Sequence, residues 1–213
     1  MILVGQYDSP FVRRVAISLH LLELPFTRNS ISVFGDAEAM RAINPLGRVP
    51  SLVLDDGEVV IDSAAIVDHL DEVAGPGRRL IPASGAPRRH ALRMIALASG
   101  AIDKAGAVVY DRTLRPPEKQ HVPWQERCAI QLASALAALE AAVPPGRWIG
   151  GESPGQADIT VGCALGYLLL RLPEALVAGR MPALEQLAAA CEELEAFRCT
   201  RPAADEIMPA QPI

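Results

Sequence analysis

The chain has 213 residues, with 25 acidic against 20 basic side chains for a formal net charge of −5. Half of the residues are hydrophobic and mean hydropathy is +0.21, enough for a buried core and outside the disordered, collagenous and low-complexity classes. No apolar run approaches the roughly 20 residues of a membrane-spanning helix, Met1 to Val15 is too broken by polar residues and proline for a signal peptide, and the acidic balance argues against nucleic acid or a membrane as partner, leaving the expectation of a soluble, cytoplasmic globular protein.

From residue 1 to about 75 the chain alternates short strand-like runs with helical ones. Ile2-Leu3-Val4 reads as a strand, followed by a polar turn at Gln6-Tyr7-Asp8. Ser9-Pro10 then opens a helix with Val12, Val15, Ala16, Leu19 and Leu22 at helical spacing, stopped by Leu24-Pro25. Serine is a preferred cap, and proline is tolerated just inside a helix, where its missing N–H costs nothing. The same helix start offers unpaired N–H groups and a partial positive charge, so a hydroxyl there can also hold an anion such as a thiolate. Both readings of Ser9 use the same physics.

Phe26 to Val33 is a second strand candidate and Asp36 to Ile43 a short helix. In Asn44-Pro45-Leu46-Gly47-Arg48-Val49-Pro50-Ser51 a proline stands at the entry to a strand, a position suited to a strand start, an edge or a special turn. A cis Val49-Pro50 bond would expose the Val49 N–H and C=O to an extended ligand; a plain turn is the alternative. Ser51 to Leu54 and Glu58 to Ile61 flank Asp56-Gly57, a strong hairpin signal. Asp62-Ser63 opens a last helix that directs Ile66, Val67, Leu70 and Val73 inward. The pair reads as a cap, or as a carboxylate beside a hydroxyl able to hold the ammonium and carboxylate of an amino acid. The element order is β-α-β-α-β-β-α.

Gly75 to Pro87 is rich in Gly and Pro and reads as a linker. Beyond it, Arg88 to Tyr110, Pro117 to Val143, Ala157 to Leu172 and Pro182 to Phe197 are helical in composition. The expected fold class is therefore α/β plus all-α: a domain at 1–76, a linker at 77–87 and an all-helical domain at 88–213. The four cysteines, Cys128, Cys163, Cys191 and Cys199, have no redox or zinc spacing and read as small buried hydrophobes. His20, His69, His90 and His121 are scattered, and no phosphate-binding or dinucleotide-binding glycine loop is present. No metal is expected.

Taken together, Ser9-Pro10-Phe11-Val12-Arg13, Asn44-Pro45-Leu46-Gly47-Arg48-Val49-Pro50, Asp62-Ser63 and Ala157-Asp158-Ile159 resemble the glutathione S-transferase family, most closely its bacterial serine-type branch. The resemblance runs over nearly the whole chain. It implies a thioredoxin-like N-terminal domain, a helical C-terminal domain, a homodimer, and a detoxifying transferase that uses glutathione as co-substrate against a small hydrophobic electrophile. It also implies that Ser9 stabilises the glutathione thiolate, Val49 pairs backbone to backbone with the cysteinyl unit, Asp62 and Ser63 hold the γ-glutamyl end, and Arg48 approaches the glycine carboxylate. Phe11 and Tyr110 would flank the electrophile.

Three departures stand out. Gly155 replaces the usual Ser or Thr three residues before Asp158, Asp62 replaces a longer Glu or Gln, and Tyr7 sits close to where other branches place a catalytic tyrosine. Ser9 is preferred over Tyr7 as activator because it opens the helix and gains its N-terminal field. A thiol–disulfide enzyme on the same scaffold would want cysteine where Ser9 stands. A non-catalytic glutathione- or ligand-binding protein would use largely the same residues and is the alternative function.

Overall fold

The computed structural model describes residues 1–207 and divides into two units, Met1–Ala83 with Glu192–Ile207, and Ser84–Cys191. In the first, β1 (Ile2–Val4), β2 (Thr27–Asn29), β3 (Ser51–Val53) and β4 (Val59–Ile61) form a sheet of order β2-β1-β3-β4. β1 pairs parallel with β2 and antiparallel with β3, and β3 pairs antiparallel with β4. Helices α1 (Pro10–Leu21), α2 (Ala37–Ile43) and α3 (Ser63–Ala74) complete the βαβαββα unit of a thioredoxin-like domain.

The amphipathic reading of α1 is seen directly: Val12, Val15, Ala16, Leu19 and Leu22 are all fully or almost fully buried. Each such Val or Leu contributes about 1.5–3 kcal/mol over its exposed state. On α3, Ile66, Val67 and Leu70 point inward, but Val73 is half exposed. It stands in the last turn, just before Gly75 ends the helix at positive φ. β2 is only three residues long and exposed throughout, shorter than the Phe26–Val33 run suggested. It is an edge strand with one neighbour, and the chain leaves it at Ser32, whose Oγ accepts from the Phe34 and Gly35 N–H groups and turns the backbone toward α2.

The stretch expected as linker is mostly part of the first unit. The Asp71 carboxylate accepts from the N–H groups of Leu80 at 2.8 Å and Ile81 at 2.9 Å, and Ile81 is buried. Glu192–Ile207 also return to this unit. Buried Arg13 on α1 donates to Glu192 Oε1 at 2.8 Å and to the Phe197 carbonyl at 3.0 Å, with its guanidinium 5.3 Å from the Phe197 ring centre. Arg28 pairs with Glu206 at 2.8 Å. Desolvation alone would raise the Glu192 pKa, but Arg13 and Arg201 outweigh it and hold the carboxyl below its ordinary value.

The second unit is helical: α4 (Gly85–Leu114), α5 (Val122–Ala142), α6 (Gln156–Arg171) and α7 (Pro182–Glu192), with the short α8 (Glu195–Arg198) belonging to the first. Pro117–Lys119 forms a 3-10 turn ahead of α5, and Leu194 interrupts the expected final helix. Cys128, Cys163 and Cys191 are buried and in no disulfide, with Cys191 Sγ donating to the Asp158 carbonyl at 3.7 Å, whereas Cys199 is exposed. No helix among the described residues is long and apolar enough to cross a membrane.

Gly155 caps α6 without a side chain, and Asp158 takes over. Its fully buried carboxylate accepts from Ile149 N–H at 2.8 Å and from Gly155 N–H at 2.9 Å. Burial raises its pKa against the opposing effect of these two donors. Asp158→Ala strands both N–H groups and is expected to lower stability by about 2–6 kcal/mol, at roughly 1–3 kcal/mol per unpaired group. Asp158→Asn, which keeps one acceptor, is expected to lose about half as much. Urea denaturation of the two variants checks the order, and equal stability of Asp158→Ala and the parent chain would refute it.

Candidate functional site

The sheet register sets three loops side by side. Val4 faces Ser51 across β1 and β3, and Ser51 faces Ile61 across β3 and β4. The turn leading to Ser9 leaves the end of β1, Val49-Pro50 enters the start of β3, and Asp62-Ser63 leaves the end of β4. All three therefore lie at one end of the sheet, across two strand spacings or about 10 Å. The N-termini of α1 and α3 open at this same end, bringing unpaired N–H groups and positive partial charge to it.

Ser9 is the N-cap of α1, half-buried, and its Oγ accepts from Val12 N–H at a long 3.4 Å. No described residue takes its hydroxyl proton, so Oγ retains a donor. Tyr7 is committed elsewhere. It is buried with the Arg28 guanidinium 4.0 Å from its ring centre, and burial raises its phenol pKa despite Arg28.

The Val49-Pro50 bond is cis. Val49 is half-buried, and neither its N–H nor its C=O has a partner among the described residues. The loop that presents it is held by Asn44, a buried side chain whose Nδ2 donates to the Arg48 carbonyl at 2.8 Å and whose Oδ1 accepts from Leu46 N–H at 3.0 Å. Gly47 completes the loop at φ +60°. Arg48 itself is exposed, and its guanidinium meets no partner among the described residues.

Asp62 caps α3 from an unusual backbone, φ +72°, one of two non-glycine residues at positive φ among those described. Such a conformation costs of order 1–3 kcal/mol and is retained where the surroundings or a function demand it. Its Oδ1 accepts from Ala64 N–H at 2.8 Å, leaving Oδ2 exposed. Ser63 is buried, and its hydroxyl has no partner among the described residues. A carboxylate oxygen thus stands beside a free hydroxyl and the start of a helix.

Gly5 joins two of these loops. At φ +131° it lies so close to Val12 and Val49 that a Cβ would come within 2.6 Å of Val12 Cγ2 and 3.0 Å of the Val49 side chain. Neither Gly5 nor Asn44 was assigned a role from the sequence. A glycine one residue past a strand and an Asn ahead of a Pro–Gly turn are the signals that could have marked them. Of the two residues expected to flank the electrophile, Phe11 is half-buried on α1 with the Arg14 guanidinium 5.9 Å from its ring centre, and Tyr110 is half exposed on α4.

Family models agree with this architecture. The glutathione S-transferase N-terminal domain matches residues 3–78 and the C-terminal domain residues 122–196. The chain belongs to the glutathione S-transferase family. Among family members, the uncharacterised GST-like protein YibF of Escherichia coli K12 is 30% identical, over 80% of this chain and 83% of that one. The maleylacetoacetate isomerase of Pseudomonas aeruginosa is 29% identical over 99% of this chain and all of its own length. A glutathione S-transferase from Methylobacillus flagellatus KT, solved with glutathione bound, superposes with a TM-score of 0.88 at 31% identity, covering 95% of this chain and 99% of that one.

Proposed function

We propose that the protein is a glutathione transferase that binds glutathione across the three loops at the end of the sheet and presents its sulfur, as thiolate, to a small hydrophobic electrophile. The observation that carries this reading is the register-imposed alignment of Ser9, Val49 and Asp62-Ser63. An extended tripeptide spans roughly 10 Å, the same width as the three strand ends. Its cysteinyl N–H and C=O would pair with the free C=O and N–H of Val49. The γ-glutamyl ammonium would meet Asp62 Oδ2, and its carboxylate the Ser63 hydroxyl and the start of α3. Arg48 has an unpaired guanidinium to offer the glycine carboxylate.

Ser9 would then donate its unused proton to the sulfur, aided by the N-terminal field of α1, and favour the ionised form. The thiolate forms the S–C bond as the leaving group departs with its electron pair, or as an activated double bond shifts its pair and is protonated. Tyr7 fits this role poorly, because its ring is buried against Arg28 and its proton is held more tightly than in water. Phe11 and Tyr110 are proposed walls for the electrophile, and the working form is proposed to be a cytoplasmic homodimer engaged in detoxification.

Calorimetric titration with glutathione and with cysteinylglycine, which lacks the γ-glutamyl unit, tests the assignment of the two ends. Glutathione is expected to bind at least about tenfold more tightly, the 1.4 kcal/mol equivalent of one charge-assisted contact. Asp62→Asn is expected to erase most of that difference. Equal affinity for the two thiols would overturn the site, whereas clear glutathione binding without turnover on any common electrophile would select the non-catalytic reading.

A further inference from the structure

A concavity lies wholly within the helical unit, between the C-terminal half of α4 and the start of α5. It measures about 590 Å³, within the range of cavities that take small organic ligands. Its walls are Asp111 of α4, Arg115 just past the end of that helix, His121 just ahead of α5, and Trp124 and Arg127 from the first turns of α5, over an apolar floor of Ala107 and Pro123.

The rim is built rigidly. Asp111 is buried, and its Oδ2 accepts from His121 N–H at 3.0 Å and from Gln125 Nε2 at 2.7 Å. Gln120 donates to the Arg112 and Arg115 carbonyls, both at 3.0 Å, which ties down the turn between the helices. His121 Nδ1 accepts from Trp124 N–H at 3.2 Å, setting the first turn of α5.

The charges within this rim do not cancel. Arg115 lies 3.3 Å from Asp111 and offsets it. Arg127 is exposed and has no ion-pair or hydrogen-bond partner among the described residues. The 21-residue α5 adds the positive partial charge of its N-terminus on the same side. The cavity therefore carries surplus positive charge in a chain that is negative overall. Beside that charge stands Trp124, 45% exposed in a protein with only two tryptophans and 4% aromatic residues.

We propose that this cavity is a binding site for a planar aromatic carboxylate, separate from the glutathione site, with the ring against Trp124 and Pro123 and the carboxylate on Arg127. An aromatic face three residues from a free guanidinium on one helix suits that combination, since residues at this spacing are neighbours on the helix surface. A guanidinium hydrogen-bonds a carboxylate in its own plane. A neutral aromatic would leave Arg127 unmatched, and a small inorganic anion would leave the apolar floor and Trp124 uncovered.

The probe is naphthalene-1-carboxylate, with its neutral carboxamide as control, followed through the two tryptophan indole N–H resonances of the full chain. Trp124→Phe removes one resonance and so assigns the pair. Naphthalene-1-carboxylate is expected to shift the Trp124 resonance saturably and leave that of Trp148 unmoved. Arg127→Gln is expected to weaken binding roughly 10- to 100-fold, the scale of one lost hydrogen bond to a charged group, while Arg127→Lys retains part of the affinity. The carboxamide is expected to bind about tenfold more weakly than the acid. Absence of a saturable Trp124 shift, equal affinity for acid and amide, or an Arg127→Gln variant that binds normally would each overturn the proposal. Glutathione affinity is expected to be unchanged in Arg127→Gln, so the outcome is independent of the site on the sheet.

Discussion

Ser9→Ala is expected to lower conjugation turnover at pH 7 by roughly 25-fold while leaving glutathione affinity within a few-fold of the parent chain. The figure follows from the thiol. With a pKa near 8.5 only about 3% is ionised at pH 7, whereas a lowering of about two units makes about three-quarters thiolate. Val49, Asp62 and Ser63 bind the peptide ends without the Ser9 hydroxyl, so affinity is spared. The loss is expected to fade with rising pH and vanish above about pH 9, where the thiol ionises unaided. A pH profile of kcat/KM, paired with the ultraviolet absorption of bound thiolate, reads this directly. Ser9 also caps α1, and a lost serine cap costs about 0.5–2 kcal/mol. The 3.4 Å separation from Val12 N–H places this case at the low end. Ser9→Thr keeps both hydroxyl and cap and separates the two effects. An unshifted profile with undiminished turnover in Ser9→Ala would remove Ser9 from the mechanism, and a shifted profile in Tyr7→Phe would transfer the role to Tyr7.

The largest effect on stability is expected at Gly5. Gly5→Ala places a Cβ 2.6 Å from Val12 Cγ2, on a helix position with no solvent exposure, and 3.0 Å from Val49. Overpacking of this kind costs about 1–3 kcal/mol, and a side chain at positive φ costs about 1–3 kcal/mol more. Together these remove a large part of the 5–15 kcal/mol by which domains are stable. Because Val49 is one of the residues pushed aside, glutathione affinity is expected to fall with stability. Gly57→Ala supplies the control. Gly57 also has positive φ, +92°, but nothing lies within 4 Å of its added Cβ, so only the backbone share should be lost. Urea midpoints for the two variants measure the difference, and equal losses would show that the contact with Val12 and Val49 carries no cost.

Much of the local structure was legible in the residues. Asp56-Gly57 marks the β3–β4 hairpin because glycine accepts the positive φ of the turn, and Ser9-Pro10 marks the start of α1 for reasons of hydrogen bonding and ring geometry. Gly155 brings no capping side chain, and Asp158 three residues on supplies the bond, its carboxylate accepting from the Gly155 N–H. Other features escaped because their causes lie far away in the chain. Val73 has the spacing of a core residue, yet in the last turn of α3 it is half exposed. The Gly- and Pro-rich run after α3 looks like free linker, yet Asp71 and the burial of Ile81 hold it to the first unit. Asn44 stands where a turn residue is expected, but its bond to the Arg48 carbonyl depends on the fold of the loop that follows.

Local patterning therefore determined the order of strands and helices, the caps, the turns and the chemical types gathered in the three motifs. Those properties arise from interactions within a few residues, where periodicity and backbone preference act. Tertiary structure alone decided that the motifs share one end of the sheet, because strand register pairs Val4 with Ser51 and Ser51 with Ile61 across long sequence separations. It likewise decided that Glu192–Ile207 returns to α1, where buried Arg13 finds its carboxylate on Glu192, 179 positions further along the chain. A desolvated guanidinium must be paired, but nothing near Arg13 in sequence says with what.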